Sequence, residues 1–189
     1  MTIKSKSTFV RCEPSQIVEA LVGLKDVRVL AYRRIGPDVE LVIEQTVLQR
    51  SCPTCGGAGQ IKERPTVRYV DLPVYGQPMR LAWRKHRLIC RRPDCAGASW
   101  TSADHRIAAK NCLLTTRCAK WATVQVGTGR AVSDVAGELS CDWHTVNDAV
   151  MAYGRALLAA DRRRLNATTA IGLDETSFAK LCSRRGRSY

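Results

Sequence analysis

Two close pairs of cysteines are the first candidates for chemistry in this sequence. Two residues separate Cys52 from Cys55 in SCPTCGG, and four residues separate Cys90 from Cys95 in ICRRPDCAG. Zinc prefers four soft ligands at tetrahedral angles, and two short cysteine loops brought together by intervening strands supply them. Gly56 lets the backbone turn its amides toward the thiolates. We therefore predict a structural zinc site, because four thiolates leave no open position for water.

Other uses of these cysteines are buried reduced thiols or a redox pair. A redox pair is disfavoured because no thioredoxin-like βαβ pattern surrounds Cys52 and Cys55. Disulfides are disfavoured because the total of nine cysteines is odd and the amino terminus has no signal peptide. The other cysteines have no paired spacing and are read as small apolar fillers: Cys12, Cys112, Cys118, Cys141 and Cys182.

A second candidate site lies in the stretch GRAVSDVAGELSCDWHTVNDAVMAYGRALL, whose apolar residues recur at helical spacing. A first stripe contains Val132, Val135, Ala136 and Leu139, and a second contains Trp143, Val146, Val150, Tyr153 and Leu157. The turn between them is Ser140-Cys141-Asp142. A short helix, a tight turn and a second helix with a free outer face are the requirements of a helix-turn-helix motif.

Several polar residues are candidates for DNA contacts. His144, Thr145 and Asn147 fall at the exposed start of the second helix, where base edges would be read. Phosphate contacts are expected from Arg84, Lys85, Arg87 and Arg130, the first three on or beside a basic strand between the cysteine pairs. The alternatives are solvated charges and a plain helical bundle that does not bind DNA.

The composition favours a polyanionic partner. Thirty Lys and Arg against seventeen Asp and Glu give a formal net charge of +13, and each phosphate neutralised by a cation releases a condensed counterion. We expect double-stranded DNA as the partner and allow for a homodimer. Apolar runs fall far short of the roughly 20 residues that a bilayer requires, so we expect no membrane association and a cytoplasmic location.

The elements that must position these sites indicate an α+β chain of small modules. The predicted units are a helix-and-hairpin lead-in (1–50), a zinc-ribbon-like hairpin domain with four cysteines (51–108), a three-helix helix-turn-helix bundle (109–166) and a terminal strand (167–189). The lead-in combines a helix over 15–24 with strands on both sides of IGPD. In the second unit, TVRYVDL and MRLAWRKHRLI form a hairpin around PVYGQP.

The order of these motifs resembles the amino-terminal half of bacterial insertion-sequence transposases of the IS-L-three group. The resemblance rests on the cysteine pairs around YVDLPVYGQPMRLAWRKHRLIC, the stretch VSDVAGELSCDWHTV and the closing AIGLDETSF. It implies that the zinc finger and the helix-turn-helix bind the terminal inverted repeats of the element. It also implies that the closing strand opens a ribonuclease-H-like domain, in which Asp-Asp-Glu carboxylates hold two Mg²⁺ ions for strand transfer.

By this resemblance, Asp174 corresponds to the first of those carboxylates, and an ordinary acidic pair with Glu175 is the alternative. No acidic residue follows Glu175, so we expect a truncated and catalytically incomplete chain that binds DNA only. Magnesium is expected only for the intact catalytic domain of the family. The alternative function is a zinc-containing helix-turn-helix regulator of transcription.

Overall fold

The computed structural model describes residues 22–24, 26–97 and 99–162. Its strands are β1 (Val27–Ile35), β2 (Asp38–Gln45), β3 (Gln60–Glu63), β4 (Thr66–Val74), β5 (Gln77–Arg84), β6 (Arg87–Ile89) and β7 (Ser99–Thr101). Its helices are α1 (Thr116–Gly127), α2 (Val132–Glu138) and α3 (Trp143–Ala160). The α+β class is confirmed. Most of the helix predicted over 15–24, the terminal strand and Asp174 lie outside the described residues.

A four-stranded sheet with the order β1-β2-β5-β4 forms the body of the molecule. Two antiparallel hairpins build it, β1 with β2 and β4 with β5, and both were predicted from their turn residues. The second turn places Tyr75 and Gly76 in the left-handed region at φ 51 and φ 74, which suits the twist of a two-residue hairpin. The hairpins join through parallel pairing of β2 with β5.

A smaller sheet with the order β3-β6-β7 carries the cysteine loops. The basic stretch MRLAWRKHRLI was predicted to be one strand, and that prediction was wrong. The chain leaves the large sheet after Arg84 and enters the small sheet at Arg87. The β4–β5 hairpin therefore extends the sheet of the lead-in and is not part of the sheet that carries the cysteines.

Strand β2 is buried on both faces of the large sheet, but the two faces differ in chemistry. On one face Ile43, Leu81 and Trp83 are at most 1% exposed and form the main apolar core. On the other face Glu40 and Glu44 are buried among arginines. Buried carboxylates need charged or hydrogen-bonding partners, and here the neighbouring strands supply them.

The helices form a second apolar core and dock on β4. The segment before α1 pairs with β4 through a parallel bridge, in which the amide of Val70 donates to the carbonyl of Leu113 at 2.9 Å. The fully buried Asp71 completes it by accepting hydrogen bonds from Thr115 Oγ1 at 2.6 Å and Arg117 Nε at 2.8 Å. Because a buried carboxylate fixes both partners, the helical unit has a defined position on the sheet.

Candidate metal centre and nucleic-acid interface

The sulfur atoms of Cys52, Cys55, Cys90 and Cys95 all lie within 4.8 Å of one another. The Sγ atoms of Cys52 and Cys95 are 3.9 Å apart, and those of Cys55 and Cys90 are 3.6 Å apart. Zinc–sulfur bonds of about 2.3 Å at tetrahedral angles place the sulfurs about 3.8 Å apart. The four sulfur atoms are therefore close enough to hold one tetrahedral metal ion.

Backbone hydrogen bonds shape the first cysteine loop around this centre. The amide of Cys52 donates to the carbonyl of Gly57 at 2.8 Å, and the amide of Gly56 donates to the carbonyl of Cys52 at 2.9 Å. Gly56 has a φ of 70°, a conformation that glycine adopts without steric cost. In the second loop the amide of Cys95 donates to the carbonyl of Arg92 at 3.1 Å.

The thiols of the cluster differ in the direction of their pKa shifts. The backbone amide of Gly57 lowers the pKa of Cys55 to about 6, and the amides of Cys55 and Thr54 lower the pKa of Cys52. A backbone hydrogen bond from Arg92 favours the thiolate of Cys90, but burial and the three neighbouring cysteines raise its pKa to about 11. Without a metal the group cannot hold four negative charges, so a divalent cation is the natural counterion.

A buried histidine joins the metal-bearing sheet to the large sheet. His86 lies in the two-residue link between β5 and β6 and is 3% exposed. Its Nε2 lies 3.0 Å from Glu44 Oε1, and its amide donates to Ser102 Oγ at 3.0 Å. Burial lowers the pKa of His86, while the adjacent Glu44 opposes the shift. His86 therefore links Glu44 of the large sheet to Ser102, the residue that follows β7, and its lowered pKa favours the neutral imidazole.

Helices α2 and α3 pack closely at their near ends. Val135, Ala136, Leu139 and Val146 are each at most 4% exposed. The chain reverses at Ser140, which has a φ of 50°, and the amide of Cys141 donates to the carbonyl of Ala136 at 3.0 Å. Asp142 then caps α3 by accepting from the amide of His144 at 2.7 Å.

The three residues predicted to read bases lie on the first two turns of α3. His144 is exposed, and its ring meets that of Trp143 edge-on at 5.1 Å between centroids. Thr145 and Asn147 are half-buried. Trp143 is 44% exposed. The apolar stripe predicted for the second helix included Trp143, but the structure leaves much of this side chain accessible.

The four cations predicted to hold phosphates have different surroundings. Lys85 Nζ lies 4.2 Å from the centroid of the Trp83 ring. Arg87 pairs with Glu63 at 2.9 Å, and Arg130 pairs with Glu138 at 2.7 Å. Arg84 is half-buried at the end of β5 and has no ion pair with any residue that the structure describes. Three of the four therefore have intramolecular partners.

Arg80 has a role that the sequence did not reveal. The guanidinium donates to the carbonyls of Leu139 at 3.1 Å and Ser140 at 2.6 Å, and Nε lies 3.0 Å from Asp38 Oδ2. These carbonyls follow the last turn of α2, where backbone acceptors lack partners within the helix. Arg80 therefore anchors the turn between α2 and α3 on the large sheet. No local spacing could indicate this contact, since the partners are about 60 residues apart.

The sequence matches no protein-family model, no curated protein and no solved structure at a significant level. In the described part of the chain, no helix has the length and apolar character needed to cross a membrane.

Proposed function

We propose that this chain binds double-stranded DNA, with α2 and α3 acting as a helix-turn-helix motif. The observation that carries the proposal is the burial of Ala136 and Val146 in one apolar cluster. These residues, ten positions apart, are both buried where α2 meets α3, while His144 and Asp148 on the outer side of α3 are exposed. A small residue at the crossing allows close approach and leaves the outer face free for a major groove.

The charge distribution on α3 supports this proposal. Arg155 and Arg162 are exposed along the later part of the helix and its end, where they can reach phosphates beside the groove. The formal net charge of +13 favours association with any polyanion. Asp142 and Asp148 oppose phosphate binding at the helix start, but a carboxylate can accept a hydrogen bond from the exocyclic amine of cytosine.

The metal in this proposal is zinc, held by Cys52, Cys55, Cys90 and Cys95. Its role is structural, since four thiolates fill the coordination shell. The small sheet contains only ten residues in its three strands, and so short a sheet depends on the metal for its fold.

We further propose that the chain is the DNA-end-binding part of an insertion-sequence transposase. Support comes from the order of the cysteine pairs, the α2–α3 motif and the closing stretch AIGLDETSF. In this proposal Asp174 is the first carboxylate of an Asp-Asp-Glu site.

A binding experiment tests both proposals. Selection of duplexes from a random pool by the zinc-loaded chain should yield a defined sequence. His144→Ala and Asn147→Ala should each weaken binding to that sequence by about 1–3 kcal/mol while leaving unrelated duplexes unaffected. Lys120→Ala is the control because it removes an exposed cation from α1.

The outcomes separate the possible functions. If the unsubstituted protein does not bind DNA at low salt concentration, the proposal of DNA binding is wrong. If the selected sequence occurs as inverted repeats flanking the coding region, the transposase proposal is supported. If it occurs only in promoters, a zinc-containing regulator is the better description.

A further inference from the structure

Most arginines on the large sheet are already neutralised within the molecule. Glu44 has Arg28 at 3.5 Å and Arg64 at 3.3 Å. Glu40 has Arg68 at 2.6 Å and Arg33 at 3.9 Å. These carboxylates are buried, so the loss of their arginine partners would leave a buried charge unpaired. The sheet therefore offers few free cations for a phosphate backbone.

The second cysteine loop differs from the sheet in this respect. Arg91 and Arg92 follow Cys90 directly and are both exposed. Neither makes an ion pair or a side-chain hydrogen bond with any residue within 22–24, 26–97 and 99–162. Asp94 is the acidic residue of the same loop, and it is also exposed and has no ion pair in that part of the chain. The loop therefore presents two unneutralised guanidiniums and one carboxylate.

The side chain of Arg92 lies against the first cysteine loop. A Cβ atom on Gly57 would lie 2.7 Å from Arg92 Cδ and 3.5 Å from its Nε. The stem of Arg92 thus lies directly on the backbone of Gly57, in space that any larger residue would fill. Contact of this kind restricts the rotamers of a long side chain before it meets a ligand.

We infer that Arg91 and Arg92 bind the phosphate backbone of DNA, and that the metal assembles this contact by holding the two cysteine loops together. The inference rests on the proposed DNA binding and identifies the surface responsible for its sequence-independent part. A guanidinium presents paired N–H donors that match phosphate oxygens. The metal matters because Arg92 and Gly57 lie in different loops, which the four sulfur atoms connect.

The salt dependence of DNA binding tests the inference. Arg91→Gln/Arg92→Gln should reduce the slope of log K against log salt concentration by about 1.8, since each phosphate contact contributes about 0.9. Affinity should fall by a similar factor for every duplex sequence. Arg34→Gln/Lys120→Gln is the matched control, because it removes two exposed cations that lie outside the cysteine loops and have no ion pair in the described part of the chain. It should leave the slope unchanged.

A second variant separates the position of Arg92 from its charge. Gly57→Ala should displace the Arg92 side chain while keeping every cation, and should reduce the slope by up to about 0.9. Zinc content should equal that of the parent in all variants, because no cysteine is changed and the Cβ of Gly57→Ala would lie 3.4 Å from Cys55 Sγ, an ordinary van der Waals contact.

Different results would contradict the proposed DNA binding and the inference about Arg91 and Arg92. A parent that does not bind DNA contradicts the proposed function. A parent that binds DNA, with Arg91→Gln/Arg92→Gln showing an unchanged slope, contradicts only this inference. An equal reduction of the slope in this variant and in the control variant would mean that net charge, and not this surface, governs binding. Loss of zinc from the Arg91→Gln/Arg92→Gln variant would also contradict the inference.

Discussion

His86 shows how a single side chain can link stability to pH. Burial lowers its pKa from the usual 6.5, so the folded protein keeps the imidazole neutral where the unfolded chain would protonate it. The unfolded state therefore binds more protons as the pH falls below about 6.5. Stability due to this residue is present above that pH and is lost as the pH falls toward the lowered folded value.

His86→Gln should reduce this pH dependence. We expect the variant to lose less stability than the parent between about pH 7.5 and pH 5.5, as measured by urea unfolding of the zinc-loaded protein. His144→Gln is the matched control, since it removes an exposed imidazole. Identical pH profiles for the parent and His86→Gln would show that this group does not contribute.

At the residue level, spacing within the sequence identified only part of the site. It identified Cys52, Cys55, Cys90 and Cys95, which the structure brings within 4.8 Å of one another, because ligand spacing in a loop is a local property. It could not identify Arg80 as the anchor of the α2–α3 turn. The partners of Arg80 depend on how the helical unit docks, and nothing in a basic strand distinguishes an internal anchor from a solvated charge.

At the scale of elements, close packing sets which positions of the small sheet tolerate change. A Cβ atom on Gly59 would overlap Cη2 of Trp100 and would lie 3.1 Å from the carbonyl oxygen of Arg50. Neither the indole nor the backbone can move away easily. Gly59→Ala should therefore destabilise the protein by about 1–3 kcal/mol, measured by urea unfolding.

A glycine in open space provides the comparison. Gly154 lies within α3, and a Cβ atom there meets nothing within 4 Å. Gly154→Ala should stabilise the protein by about 0.5–1 kcal/mol, because alanine loses less backbone entropy in a helix. If Gly59→Ala and Gly154→Ala changed the free energy of unfolding by the same amount and in the same direction, the contact between Gly59 and Trp100 would not be important.

The two hairpins could be predicted from sequence, because a turn and its flanking strands are neighbours in the chain. The parallel pairing of β2 with β5 could not. It joins segments separated by a cysteine loop, β3 and β4, and no local signal specifies such a pair. The strand that was predicted to continue through Lys85 divides between two sheets.

At the scale of the whole molecule, the metal should control one part of the fold more than the others. The cores of the large sheet and of the helices are made of residues outside the cysteine cluster. Zinc removal by a chelator should therefore release amide protection in β3, β6 and β7 while the helices keep theirs. Hydrogen exchange measured by mass spectrometry would show this, and added zinc should restore protection.

A uniform loss of protection after chelation would contradict this expectation. It would mean that the metal stabilises all three parts of the molecule together. Replacement of Cys112 by Ser is a suitable control, because Cys112 lies outside the metal cluster and should leave the response to the chelator unchanged.

The two sheets alternate along the chain: β1 and β2 belong to the large sheet, β3 to the small one, β4 and β5 to the large one, and β6 and β7 to the small one. A fragment covering both cysteine loops must therefore carry half of the large sheet with it. Genetic exchange at the edges of this segment would leave two incomplete proteins, so the cysteine loops cannot be transferred between proteins as a self-contained cassette.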